Sequence, residues 1–187
     1  LDMVILGYTE RTSDASQVRS ILLGLMREDG QFQIISGCGT LGADENRAML
    51  MKKLKPECVE AELHFASGSG EVYRFIKPET VLEVRVTDIQ AENTAGDAIK
   101  SMVLQFSGNK WIPVTPMPSA SLLHPVLLRL RDDKSVNTND VRFSQLLERT
   151  HVDSTNQPIQ LTELPKSNLV ERMVWTKDNK GQKAVQK

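Results

Sequence analysis

Aromatic residues make up only 5% of the 187-residue chain, so its core must be built from Leu, Val, Ile and Met rather than from stacked rings. Cysteine is nearly absent. Cys38 and Cys58 are too few and too far apart for a zinc cluster or a disulfide framework, and both are expected to be small buried hydrophobes, a usage that suits a reducing compartment. Neither sign of charge prevails. With 23 basic and 24 acidic residues the net charge is -1, which excludes a global cationic field and confines any nucleic-acid binding to local patches. No apolar run approaches the ~18 residues of a membrane span, and no charged-then-apolar leader opens the chain. The expectation is therefore a protein with no membrane partner, inside the cell, in the cytoplasm or in the nucleus of a eukaryote. His64, His124 and His151 share no ligand spacing with the cysteines, so no metal site is expected. Ser67-Gly-Ser-Gly70 lacks the lysine and following helix of a phosphate-binding loop and reads as a flexible connection. The chain opens at Leu1 within a strand-like run and without Met, as expected for a piece of a longer protein.

What is present is a series of short strand signals. Residues 1–8 form an apolar, β-branched run followed by a polar loop over 9–17, and runs at 18–27 and 32–36 flank a turn containing Gly30, the pattern of a hairpin. After the glycine-rich break at 37–42, Asp44 and Glu45 precede a helical pattern that closes with Lys52, Lys53 and Lys55, signs that suit the helix dipole. Leu50, Met51 and Leu54 share its core face, and Pro56 ends it. Residues 81–89 alternate, with Leu82, Val84 and Val86 opposite Glu83, Arg85 and Thr87, as in a half-buried strand. Further strands are expected at 101–106 and 125–131, separated by the proline-bearing segment 111–118, where a regular central strand is not expected. A short helix is expected over 137–149 with Val141, Phe143 and Leu146 as contacts and Thr138 or Asn139 as cap. Residues 150–187 have little periodicity and read as an extended, partly disordered tail, in which 170–175 can still pair as an added strand. Many short strands with one intervening helix predict a mainly β, five-stranded Greek-key barrel over 1–149 with that helix packed on it.

The chemistry concentrates in 121–134. On a strand, Arg129, Arg131 and Asp133 would share one face while Leu128 and Leu130 anchor the other, with Lys134 at the strand end. Two guanidiniums and an ammonium suit a di- or triphosphate, because each can place charge-assisted hydrogen bonds on separate oxygens. The alternative reading of the same spacing is a solvated edge whose Arg, Asp and Lys pair with one another.

Arg131-x-Asp133-Lys134 resembles the sixth motif of the covalent nucleotidyltransferases, the group of ATP-dependent DNA ligases, RNA ligases and mRNA capping enzymes. Other segments resemble the DNA-ligase branch in the right order. These are Leu1-Asp-Met-Val-Ile-Leu-Gly7, Ile21-Leu-Leu-Gly-Leu-Met26, Gly39-Thr40 followed by Asp44-Glu45, and Pro78-Glu-Thr-Val-Leu-Glu-Val84. The resemblance covers about residues 1–149 and implies an oligonucleotide-binding (OB) barrel. The chain departs from the pattern at Gly37, where the family has a basic residue, and at Leu123, His124 and Val126 around the proline of the sixth motif.

In such ligases a lysine attacks the α-phosphate of ATP, AMP passes to the 5′-phosphate of a nick, and a 3′-hydroxyl displaces it. The resemblance implies that the barrel closes over ATP to orient pyrophosphate and then lies on nicked double-stranded DNA. It places Arg131 and Lys134 on the β- and γ-phosphates, Arg129 in support, and Asp133 as the group holding Arg131. ATP and Mg2+ are implied for the full-length enzyme, with a nucleotidyltransferase domain preceding this one and a monomeric state. Arg19, Arg74 and Arg85 are candidate contacts to the DNA backbone, with solvated surface as the alternative. Glu83 reads as structural. No Lys-x-Asp-Gly occurs in the chain, so it is expected to carry no AMP and to be inactive by itself. An RNA ligase or capping-enzyme barrel and a free-standing nucleic-acid-binding module remain open alternatives.

Overall fold

The computed structural model describes residues 1–150 and the strand at 173–175. β1 (Asp2–Glu10), β2 (Val18–Met26) and β3 (Phe32–Cys38) form an antiparallel meander. Gly30, at φ 80°, supplies the left-handed turn position between β2 and β3 that the hairpin requires. α1 (Asp44–Leu54) buries Leu50, Met51 and Leu54, and Pro56 lies in the 3-10 turn that ends it. Then come β4 (Glu60–Ala61), β5 (Leu63–Phe65), β6 (Arg74–Phe75), β7 (Val81–Arg85) and β8 (Asp88–Gln90). β9 (Lys100–Ser107), β10 (Lys110–Pro118), β11 (Ser121–Leu123) and β12 (Val126–Leu130) follow, then α2 (Ser144–Leu147). β13 (Met173–Trp175) pairs with β5, within the segment read as a possible added strand.

Five of these strands close a ring. β12 pairs with β7, β7 with β1, β1 with β2 and β2 with β3, all antiparallel. A parallel bridge between Thr40, just past β3, and Val126 at the head of β12 returns the ring to its start, with the Leu127 amide donating to the Thr40 carbonyl at 3.0 Å. α1 lies in the connection between the third and fourth strands of this ring, and the mainly β fold is an OB barrel as expected. β9 and β10 extend the sheet outward from β3.

That extension explains why β1 reads as a continuous apolar run rather than an alternating one. Met3 and Ile5 enter the inner core with Ile21, Leu23, Leu54 and Leu82, while Val4 and Leu6 enter a second core with Phe32, Ile34, Phe75 and Trp111. Over 3–6 both faces of the strand are dry, so the run is apolar throughout. Trp111 is fully buried and satisfies its indole N–H on the Ile76 carbonyl at 2.8 Å. At Gly7 a Cβ would come within 2.7 Å of the Arg74 carbonyl oxygen, so glycine permits β6 to approach β1 there.

Several expectations are corrected. As expected, 111–118 is no regular central strand, but it is an edge strand, because β10 pairs with β9 on one side while β4 covers only Lys110 and Trp111 on the other. Pro113, Pro116 and Pro118 thus sit along an edge, with a register shift between Pro113 and Thr115. The strand expected at 81–89 is broken at 86–87 into β7 and β8. The helix expected at 137–149 shrinks to α2, because Arg142 bridges to Met26, whose amide donates to the Val141 carbonyl and whose carbonyl accepts from the Phe143 amide. Asn137 rather than Thr138 or Asn139 caps the preceding turn, its Oδ1 accepting from the amides of Asn139 and Asp140. Leu128 does not anchor the core. A bulge between Leu127 and Arg129 leaves it 49% exposed, and Leu127 and Leu130 pack inward instead. Cys38 is buried as expected, but Cys58 is exposed where the chain leaves the 3-10 turn.

Candidate functional site

β12 ends at Leu130, and the chain then turns so that the Lys134 amide donates to the Arg131 carbonyl at 3.0 Å. This turn, not a continuing strand face, presents the cations. Arg131 remains tied to the barrel through its amide, which donates to the Val81 carbonyl at 2.9 Å. Its guanidinium forms a fork on Asp133, Nε to Oδ1 at 2.8 Å and Nη2 to Oδ2 at 2.7 Å. That fork holds the Asp133 carboxyl at a pKa of about 2 and pushes the Arg131 guanidinium above its ordinary value.

Arg131 also reaches the other way, Nη1 donating to Asp2 Oδ1 at 2.9 Å, while Lys134 Nζ donates to Asp2 Oδ2 at 2.7 Å. One carboxylate therefore receives both cations, one on each oxygen. Asp2 stands in the segment 1–7 that resembles the ligase branch, but its pairing with the cations escapes a reading by motif because they lie more than a hundred residues away. Its signal in the sequence is an acid directly before the apolar run 3–6. Gln145, itself buried, brackets the Asp2 backbone, accepting from its amide at 3.2 Å and donating to its carbonyl at 3.0 Å. Asp140 lies 4.0 Å from Lys134, and its carboxyl is held below the ordinary value first by the hydrogen bond from Asn137.

Arg129 stands apart from this pair. Its side chain is 64% exposed and bonds Glu83 at 2.7 Å, so Glu83 is a structural partner as expected and lies 3.9 Å from Arg131 as well. Arg131, in contrast, is only 14% exposed.

The other arginines do not form one patch. Arg85 is exposed at the end of β7 opposite Val126, beyond the Asp2 end of β1. Arg74 lies opposite Tyr8, about 25 Å away along the strand direction, and pairs with Glu10 at 3.2 Å. Arg19 bonds Glu71 at 2.9 Å and lines a cleft of about 600 Å³ with Arg11, Arg47, Ser20 and Ser67. Arg47 is a structural staple that the helical spacing did not expose, donating to the carbonyls of Val18, Arg19 and Gly39. Among the described residues no group of three or more His, Cys, Asp or Glu is placed to hold a metal ion. The carboxylates of the cation cluster are engaged by Arg and Lys and do not fit a Mg2+ site.

The family model for the C-terminal region of ATP-dependent DNA ligases matches residues 14–134, ending on Lys134. The chain belongs to this family. Among solved structures, this ligase domain is similar to the ligase domain of LigD from M. tuberculosis, at 22% identity and a TM-score of 0.47, over 75% of this chain and 37% of that one. It is similar also to a mycobacterial DNA ligase D complexed with ATP and MES, at 22% identity and a TM-score of 0.44, over 75% and 36%. The ligase C-terminal domain thus spans little more than a third of these chains, and its assignment rests on the family match. No curated protein sequence matches it.

Proposed function

We propose that this domain, joined to a preceding nucleotidyltransferase domain, closes over ATP and orients the pyrophosphate leaving group during lysine adenylation, then engages nicked duplex DNA. The observation that carries the reading is the convergence of Arg131 and Lys134 on the two oxygens of one carboxylate. Two cations already aimed at neighbouring oxygens are preorganised for a phosphate group, and cost little rearrangement as charge develops on the departing pyrophosphate. Asp133 fixes the guanidinium plane, and Arg129, more exposed, adds long-range attraction.

In the adenylation step a lysine Nζ forms a P–N bond to the α-phosphorus as the bond to the bridging oxygen breaks, and the electron pair leaves on pyrophosphate. The attacking lysine belongs to the preceding domain, because this chain has no Lys-x-Asp-Gly. On the DNA side, Arg85 and the cleft around Arg19 are seats for backbone phosphates, and Arg74 is a further contact once it releases Glu10. A monomer inside the cell fits this role.

The test uses the full-length ligase. Arg131→Ala and Lys134→Ala should each slow self-adenylation by about 10²- to 10³-fold, as expected for a cation acting on developing charge, while sealing of a pre-adenylated nick falls much less. Arg131→Lys should restore little, since an ammonium cannot reproduce the planar fork on Asp133. Normal adenylation combined with failure on pre-adenylated nicks would move these residues to DNA binding and overturn the assignment.

A further inference from the structure

Arg131 and Lys134 are spaced for neighbouring phosphate oxygens, but in the unliganded domain a carboxylate already takes both donors. Asp2, Glu83, Asp133 and Asp140 are carboxylates around Arg129, Arg131 and Lys134, so each cation already has an acidic partner. A polyphosphate reaching Arg131 and Lys134 must compete with a carboxylate for the same donors. Asp133 is the less suited to yield, because its two-bond fork also orients Arg131. Asp2 takes one bond from each cation and occupies the point where both converge.

Asp2 is also the stationary party. Its backbone is bracketed by Gln145 and paired with Glu83 across β7, while Arg131 and Lys134 lie in and beside the turn that follows β12. The side chains of Asp2 and Arg131 are 18% and 14% exposed, so their contact is shielded from solvent more than a surface ion pair would be.

We propose that Asp2 is a built-in competitor for nucleotide phosphate, a fixed carboxylate that holds Arg131 and Lys134 until a phosphate group displaces it. It is a positioning residue that sets the ATP concentration at which the cations engage. This rests on the reading that Arg131 and Lys134 face the β- and γ-phosphates. In the unliganded domain Asp2 holds one cation on each of its oxygens. When polyphosphate arrives, its oxygens take over the same hydrogen-bond donors, and Asp2 remains near Gln145 as a partner for the cations' return.

The test is the ATP dependence of self-adenylation in the full-length ligase. Asp2→Asn keeps the shape but removes the competing charge, and should lower KM for ATP by about tenfold, the low end of what a hydrogen bond to a charged group contributes, with kcat within about twofold. Inorganic tripolyphosphate, used as a competitive inhibitor, should bind more tightly by the same factor, and Asp2→Glu should restore a KM near that of the parent. A KM unchanged or raised, with kcat reduced, would make Asp2 a structural anchor and overturn the proposal. If thermal melting shows Asp2→Asn to be unfolded, Gln145→Ala carries the test, since loosening the bracket should shift KM downward by a smaller factor, and an unchanged or raised KM there overturns it equally. Arg131→Ala and Lys134→Ala separate the two levels. If neither alters adenylation, the phosphate-facing role itself fails, whereas if both do and the Asp2 variant leaves KM unmoved, only the competitor role fails.

Discussion

Asp133 is an exposed carboxylate whose strongest partner is the Arg131 guanidinium. Its pKa of about 2 lies below the ordinary 3.8, so the group adds stability that is fully present above about pH 4 and is lost as pH falls through 2. A carboxyl-carbon NMR titration should place its midpoint near 2, and replacement of Arg131 by Ala should return it toward 3.8. A midpoint near 4 in the parent protein would mean that the fork is not held in solution. The fork itself is legible in the sequence, because Arg131 and Asp133 are two residues apart and their pairing is local. Asp2 is not. Its bonds to Arg131 and Lys134 span 129 and 132 residues, and nothing in a linear pattern joins them before the barrel closes.

Among the elements, β10 shows how a pattern can mislead. Three prolines argue against a central strand, correctly, yet the segment is a long edge strand whose final carbonyls need donors from elsewhere. Gln33 on β3 supplies them, its buried Nε2 donating to the carbonyls of Met117 and Pro118 at 3.0 and 3.1 Å, while its Oε1 accepts from Arg27 at 2.8 Å. Gln33→Leu would leave buried polar groups without partners and should cost about 1 to 3 kcal/mol, read as a lower urea midpoint with an unchanged slope. A loss below about 0.5 kcal/mol would show that water replaces the amide there. α1 was legible to the residue because dipole signs, apolar spacing and a terminating proline agree. α2 was overestimated because tertiary pairing of 141–143 with Met26 overrode local helical preference, a contest decided outside the segment.

For the molecule as a whole, the barrel topology was visible in strand spacing, whereas the second core was not. Only the outward sheet of β9 and β10 reveals why β1 is apolar on both faces. Charge is the other global property. With a net charge of -1 and acidic partners already on Arg19 and Arg74, the chain should bind nicked duplex weakly through few phosphates. Neutralisation of three phosphates by Arg19, Arg74 and Arg85 would give a slope of log affinity against log salt of about -3. Fluorescence anisotropy over a salt series measures it, and a slope steeper than about -6 would point to a cationic face that these three residues do not account for.

The bridge from Thr40 to Val126 also orders events in time. β1, β2 and β3 are joined by short connections and can pair early, but the ring is completed across 86 residues, a closure whose chain-entropy cost must be met before its contacts repay it. Arg131 and Lys134 follow directly on the strand that makes this closure, and their partner Asp2 sits at the far end of the sequence. A nascent or partly folded barrel therefore has two scattered cations and a solitary acid. The cluster of Arg131, Lys134 and Asp2 is thus assembled by ring closure and not by any local segment of the chain.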